Sequence, residues 1–159
     1  MESWALARAL HVLGLVFWIG GVAMVTTVLL PAVRQFRSVE ERVEFFERLE
    51  HRFAVQSRVS TLIVGATGFY LVHAFGLWGR FGELRYWWMH AMVGVWLIFT
   101  LMLFVLEPFF LHRWFRARAQ RNPAGTFRLV LNLHRVLLAL SLATVLGAVA
   151  GAHGLSLFQ

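Results

Sequence analysis

The sequence predicts an all-α integral membrane protein, a four-helix up-down-up-down bundle forming a single domain over residues 1–159. Three observations carry that prediction. Apolar residues make up 59% of the chain, above the roughly 45–50% of a soluble globule. They fall into four runs, each close to the roughly 20 residues that a helix needs to cross a hydrocarbon core. The runs are joined by short connections rich in arginine, glycine or proline, which make sequential helices antiparallel neighbours. No fixed period repeats along the chain.

The first span is predicted over 4–32, where Arg8 is the only charge between Trp4 and Val33. It resembles a secretory signal in its opening, but the apolar run continues to Leu30 without a small-residue cleavage site, so it is expected to be retained. Pro31 disfavours helix at the residue before it and marks the end. An amphipathic cytoplasmic segment follows at 38–52: Ser38 and Glu41 have capping-box spacing, Val39, Val43 and Phe46 recur at helical intervals, and Glu44 and Arg48 pair at i+4. The second span is predicted over 53–75, with Gly65 and Gly68 in its middle and His73 in its last turn. The third, over 86–111, begins on an aromatic belt of Tyr86, Trp87 and Trp88 with His90 just below it, and ends near Glu107-Pro108. A basic turn from His112 to Asn122 leads to the fourth span, over 126–152, with His134 about two turns in and His153 at its exit.

Orientation follows from arginine, because there is no lysine. Arg34, Arg37, Arg42, Arg48, Arg52, Arg58, Arg113, Arg116, Arg118, Arg121, Arg128 and Arg135 fall on one side, and Arg8, Arg80 and Arg85 on the other. The crowded side is expected to be cytoplasmic, with both termini in the periplasm of a Gram-negative cell and the chain a multi-pass protein of the bacterial inner membrane. The net charge of +7 is read as topology, since no soluble basic domain with stacking aromatics exists to bind nucleic acid. The chain has no cysteine, which excludes disulfides, iron–sulfur clusters and thiolate sites and leaves histidine, methionine and carboxylate as metal ligands. No nucleophile–base pair or phosphate loop argues for a hydrolase.

The seven histidines sort by depth into two layers. His11, His73, His90 and His153 fall in the outward half, one per predicted helix; His51, His112 and His134 fall toward the cytoplasm. His134 and His153 are separated by about 28 Å of helix and cannot share a site. The outer layer is the candidate cofactor site, because helices packed about 8–10 Å apart bring inward imidazoles to a common centre. Haem b suits it: axial histidines hold the iron and the plate fills an apolar gap. His11 leads, since a polar ring two turns deep needs a partner, and it shares a face with Gly14, while Gly94 lies beneath His90; Gly65 and Gly68 add room. For His73, His153, His51 and His112 the competing reading is an interfacial anchor. His134 has two readings, a second haem site or a donor to Glu107, of which the second is favoured; Glu107 is expected to pair with an arginine, with proton relay as the lesser reading. Copper is the alternative cofactor, because copper(I) takes thioether and imidazole and Met89, Met92, His90, His11 and His153 share the outer layer. Against it, methionines are few, Met24 and Met102 lie deep where methionine is ordinarily packing, and the middle of the bundle offers little polarity beyond hydroxyls.

The run LHVLGLVFWIGG, the stretch RVSTLIVGATGFYL, the helix MHAMVGVWLIFTLMLFVLEPFF and the segment NPAGTFRLVLNLHRVLLALSL together resemble the CopD-like superfamily of small bacterial membrane proteins, which includes the copper-resistance D domain and the HemJ-type protoporphyrinogen oxidase. The resemblance implies a four-helix core with His11 as the leading ligand. HemJ-type proteins pair that histidine with a lysine in a stretch like W-x-H-x-K; here the run is Trp88-Met89-His90-Ala91-Met92, with methionine for lysine. Residues two apart on a helix point about 200° away from each other, so His90 and Met92 cannot both face one iron. Either Met92 completes a His/Met haem or His90 completes a bis-His one, with His73 or His153 as other sixth ligands; the number of imidazoles favours bis-His. The expected function is a b-type cytochrome passing electrons between the quinone pool and a periplasmic redox partner or oxidant. The alternatives are a copper-handling membrane protein, a HemJ-type oxidase, or a non-catalytic subunit of a respiratory complex; a homo-oligomer is compatible with each.

Overall fold

The computed structural model describes residues 3–33, 35 and 38–155. Arg34 and Arg37 lie outside the described residues, as does the side chain of His112. The all-α prediction holds: the described residues form six α-helices and no strand. Helix α1, Ser3–Met24, runs through a π-helical stretch, Val25–Leu29, into the short α2, Leu30–Val33. Pro31 does not end the helix where the sequence suggested. The wide turns just before it accommodate a residue that has no N–H to donate.

Helix α3, Val39–Ala74, is a single unit of 36 residues. Its N-cap is Ser38, whose side chain accepts the Glu41 N–H at 3.0 Å, and it ends before Gly76, which turns the chain at a left-handed φ of 63°. The two predicted pieces, the amphipathic segment 38–52 and the span 53–75, are therefore one helix, because neither glycine nor proline stands at their junction to break it. Among the described residues only three helices are long and apolar enough to cross a membrane, Ser3–Val33, Leu84–Leu111 and Pro123–Ala152. The prediction of a bundle of four separate spans is corrected accordingly: Gln56, Ser57, Arg58, Ser60 and Thr61 dilute the apolar character of the expected second span.

Two 3₁₀ turns, Leu77–Gly82 and Leu84–Tyr86, lead into α4, Trp87–Leu101, which continues as a π-helical stretch, Met102–Leu111, containing Pro108. The predicted basic turn is helical too, as α5, His112–Arg121, since its arginines and alanines are good helix formers. Helix α6, Pro123–Ala152, has proline in its first turn and an Asn122 cap that accepts the Gly125 N–H at 2.9 Å.

Helix α1 lies antiparallel to the C-terminal half of α3. Tyr70 donates to Ser3 Oγ at 3.0 Å near one end, and Gln56 donates to the Phe17 carbonyl at 3.2 Å near the other. Gly14 makes the approach possible: a Cβ there would stand 2.9 Å from Val64 and 3.4 Å from the Ser60 carbonyl. The interior is unusually polar, burying Thr26, Ser57, Ser60, Thr61, Ser141 and Thr144, while Val16 and Leu146 are 63% and 71% exposed. Large apolar side chains on the outside and hydroxyls within suit an apolar solvent.

At the arginine-rich end, Phe46, Phe115 and Phe127 form an aromatic triad with centroids 5.1 to 5.9 Å apart, seated on Leu29, Leu30, Val33, Ala119 and Leu131. Phe46 is 3% exposed. Phe46→Ala should cost about 3–5 kcal/mol of stability, because it empties the junction of α2, α3, α5 and α6; denaturant unfolding of the detergent-solubilised chain measures it.

Candidate functional site: two cavities at different depths

The outer cavity, about 280 Å³, lies between α1, α3, α4 and α6 and is lined by His11, Trp18, Gly65, Gly68, Trp88, Met89, Met92, Trp96 and the hydroxyl residues Ser141 and Thr144. His11 Nδ1 is 3.1 Å from the Val64 carbonyl and 3.0 Å from Thr67 Oγ1. The carbonyl can only accept, and the Thr67 hydroxyl spends its own hydrogen on the Ile63 carbonyl at 2.6 Å. Both neighbours of Nδ1 are thus acceptors, so Nδ1 carries the hydrogen and Nε2 keeps the lone pair. Gly68 admits the ring: a Cβ there would sit 3.1 Å from His11 Cε1.

Helix α4 turns its methionines, not its histidine, to this cavity. Met89 and Met92, three residues apart, share one face, and Met89 is 2% exposed. Trp96 continues that face, donating through Nε1 to the Thr61 carbonyl at 3.0 Å and lying over Gly65. His90, between the methionines in sequence, is exposed and donates through Nε2 to the Phe81 carbonyl at 2.9 Å, its ring edge-on to Phe81. His73 is exposed in the last turn of α3, and His153 is exposed with Nδ1 donating to the Val149 carbonyl at 2.8 Å.

The expected convergence of outer histidines does not occur. Among the described residues His11 is the one imidazole that lines the outer cavity, and none of His73, His90 and His153 joins it. No group of three or more His and Glu side chains that could hold a metal ion occurs among the described residues. The expected glycines also divide: Gly14 serves the α1–α3 contact and a Cβ at Gly94 would meet no neighbouring element within 4 Å, whereas Gly65 and Gly68 line the cavity.

The inner cavity, about 140 Å³, lies nearer the arginine-rich end and is lined by Glu50, Ser57, Glu107 and His134 among apolar and aromatic side chains. Arg58 donates through Nη2 to Glu107 and through Nε to the Leu103 carbonyl at 3.0 Å. His134 does not donate to Glu107; its Nδ1 donates to the Val130 carbonyl at 2.9 Å, one turn back on α6. Glu47, on the same helix as Glu50, is held by Arg116 through two bonds of 2.6 Å. Burial, and after it the negative charges of Glu107 and Glu47, push the Glu50 carboxyl up to about 7.

The arginine expected beside Glu107 is Arg58, whereas Glu50 and Ser57 were not anticipated from the sequence. The signal was there: Glu50 is four residues after Phe46, three before Phe53 and seven before Ser57, on the inward face of α3 rather than its charged one. No protein-family model, curated protein or solved structure matches this chain.

Proposed function

We propose that this chain is a haem b-binding protein of the bacterial inner membrane that carries electrons between the quinone pool and a periplasmic redox partner or oxidant. The carrying observation is His11, whose Nδ1–H is fixed by two acceptors so that Nε2 offers its lone pair. A backbone carbonyl that holds the far ring nitrogen orients and strengthens an imidazole ligand. Met92 and Met89 supply thioethers on the same cavity, and imidazole with thioether is a haem donor set. Haem b would bring one-electron redox chemistry to this site. The chain's own part is to hold the ligand ring against α3, to present the thioether from α4 and to keep water away with Trp18, Trp88, Trp96 and neighbouring aliphatic side chains. The cavity volume is close to the lower end of the roughly 300–1,000 Å³ typical of cofactor sites, and flexible methionines at its wall can adapt to a plate.

The membrane reading rests on three apolar helices and the apolar exterior. The C-terminal half of α3 accompanies α1 through the bilayer, since the two are joined from Ser3–Tyr70 to Phe17–Gln56. The arginine-rich end faces the cytoplasm and both termini face the periplasm. The quoted likeness to CopD-like proteins agrees with a histidine-bearing first helix.

The detergent-purified protein should show a Soret band and a sharp α-band on reduction. Met92→Leu should keep the haem but convert a six-coordinate low-spin spectrum to a high-spin one. A colourless protein carrying copper by elemental analysis would transfer the same donors to copper(I), whose preference for thioether and imidazole they also satisfy. A colourless protein without copper would leave a non-catalytic subunit.

A further inference from the structure

The geometry points to the inner cavity as a proton-exchange site, in which the Glu50 carboxylate takes up and releases one proton on the arginine-rich side of the membrane. This site is separate from the His11 cavity and does not depend on a haem. Three glutamates meet in and around it, Glu47, Glu50 and Glu107. Arg116 from α5 closes on Glu47, and Arg58 closes on Glu107 from the π-helical stretch after α4. Glu50 has no hydrogen-bond or ion-pair partner among the described residues, and no cation among them closes on its carboxylate.

A second, independent observation marks the site. Ser57, two turns further along the same face of α3, is 1% exposed, lines this cavity and has an Oγ without a hydrogen-bond partner among the described residues. Buried hydroxyls are rarely left so. Across the cavity, His134 from α6 commits Nδ1–H to its own helix and leaves Nε2 with a lone pair. The stretch Val25–Leu29 brings only aliphatic side chains to the cavity. A volume of about 140 Å³ holds a few water molecules at about 30 Å³ each, enough to join Glu50 to Ser57, which stand about 10 Å apart along the helix.

The cation that Glu50 takes up is a proton rather than a metal ion. An alkali or alkaline-earth ion takes about six oxygen ligands, and this wall offers two carboxylates, one already clamped by Arg58, and a hydroxyl, set among Phe46, Phe53, Phe99 and Trp114. A proton needs a single carboxylate oxygen. It arrives from water at the arginine-rich face, forms one O–H bond on Glu50 and leaves by the reverse step, with no electron moved. Burial and the two neighbouring carboxylates place this exchange near neutrality. The folded chain holds this proton more tightly than the unfolded chain does. The contribution to stability is thus complete below the ordinary carboxyl value of 4.5 and is lost as pH rises through about 7.

All eight acidic residues are glutamates, so carboxyl carbon-13 labelling of glutamate reports on each of them by NMR of the full chain in detergent. One signal should titrate with a midpoint near 7 and be absent from Glu50→Gln, which should also flatten the fall in stability between pH 4.5 and 7. In Glu107→Gln, which frees Arg58, the same midpoint should drop by about one pH unit. The proposal is overturned if no carboxyl titrates near neutrality, if the signal survives in Glu50→Gln, or if the Glu107→Gln midpoint does not move. Titrations in sodium chloride and choline chloride of equal ionic strength should coincide; a midpoint lowered only by sodium would make the site a cation site and overturn the proton assignment.

Discussion

His11→Ala is expected to remove the reduced α-band completely while the protein still folds. The two halves of that result have separate causes. The lone pair on Nε2 is the imidazole donor of the outer cavity, and no other histidine among the described residues lines that cavity to replace it. The fold survives because the groups that His11 leaves behind are not orphaned. The Val64 carbonyl lies inside α3 and keeps its helical partner, and Thr67 still donates to Ile63 at 2.6 Å. The stability cost should be limited to the packing of one half-buried ring, about 1–2 kcal/mol. Absorption spectra before and after reduction, with a melting curve of the same sample, measure both, and imidazole added to the variant should restore part of the band. A full α-band in His11→Ala would refute the ligand assignment.

Arg58→Met is expected to be the most damaging change to the charged groups of the inner cavity. Glu107 is 11% exposed and Arg58 28% exposed at the side chain, and the guanidinium also satisfies the Leu103 carbonyl. Removing the cation strands a carboxylate among Phe99, Met102, Leu103 and Leu137. Breaking a buried pair from one side costs about 3–5 kcal/mol, and the partial exposure of Arg58 sets the expectation at the lower end, about 3 kcal/mol. The double variant Arg58→Met with Glu107→Gln should regain at least half of that loss, because it removes the stranded charge along with its partner. Denaturant titration of the two single variants and the double variant gives the cycle; a double variant no more stable than Arg58→Met alone would show that the loss comes from packing of the arginine stem.

The apolar helices were legible because composition alone marks them: Arg8 is the only charge in thirty residues of the first, and the third opens on three aromatics in a row. The fusion of α3 was not, since a shift from charged to apolar composition looks like a boundary, whereas a helix ends only where the backbone is interrupted, here at Gly76. The outer site was legible in its first half. His11 stood out as a lone polar ring in an apolar run, but the side chains facing it were sought among the more numerous imidazoles, and the cavity is lined by Met89 and Met92 instead. Periodicity carried the better clue: Met89, Met92 and Trp96 repeat at three and four residues and mark the inward face of α4, which turns His90 away. Glu50 was hidden by its neighbours, being one acid among several in a segment whose average character is that of a solvated helix.

The two π-helical stretches, Val25–Leu29 and Met102–Leu111, both supply walls of the inner cavity. Each wide turn takes up more chain than an α-turn does, so the angular phase of the rod is reset as it passes from one level to the other. The portion that presents Met89 and Met92 and the portion that presents Glu107 are consequently aimed independently. Relaxing 102–111 to ordinary α-helix at unchanged length would swing Glu107 by about 100° away from Arg58, with the thioether wall above left where it is. Substitutions that tighten or widen the turns at these two places are thus a means by which such a chain can retune one chamber without disturbing the other.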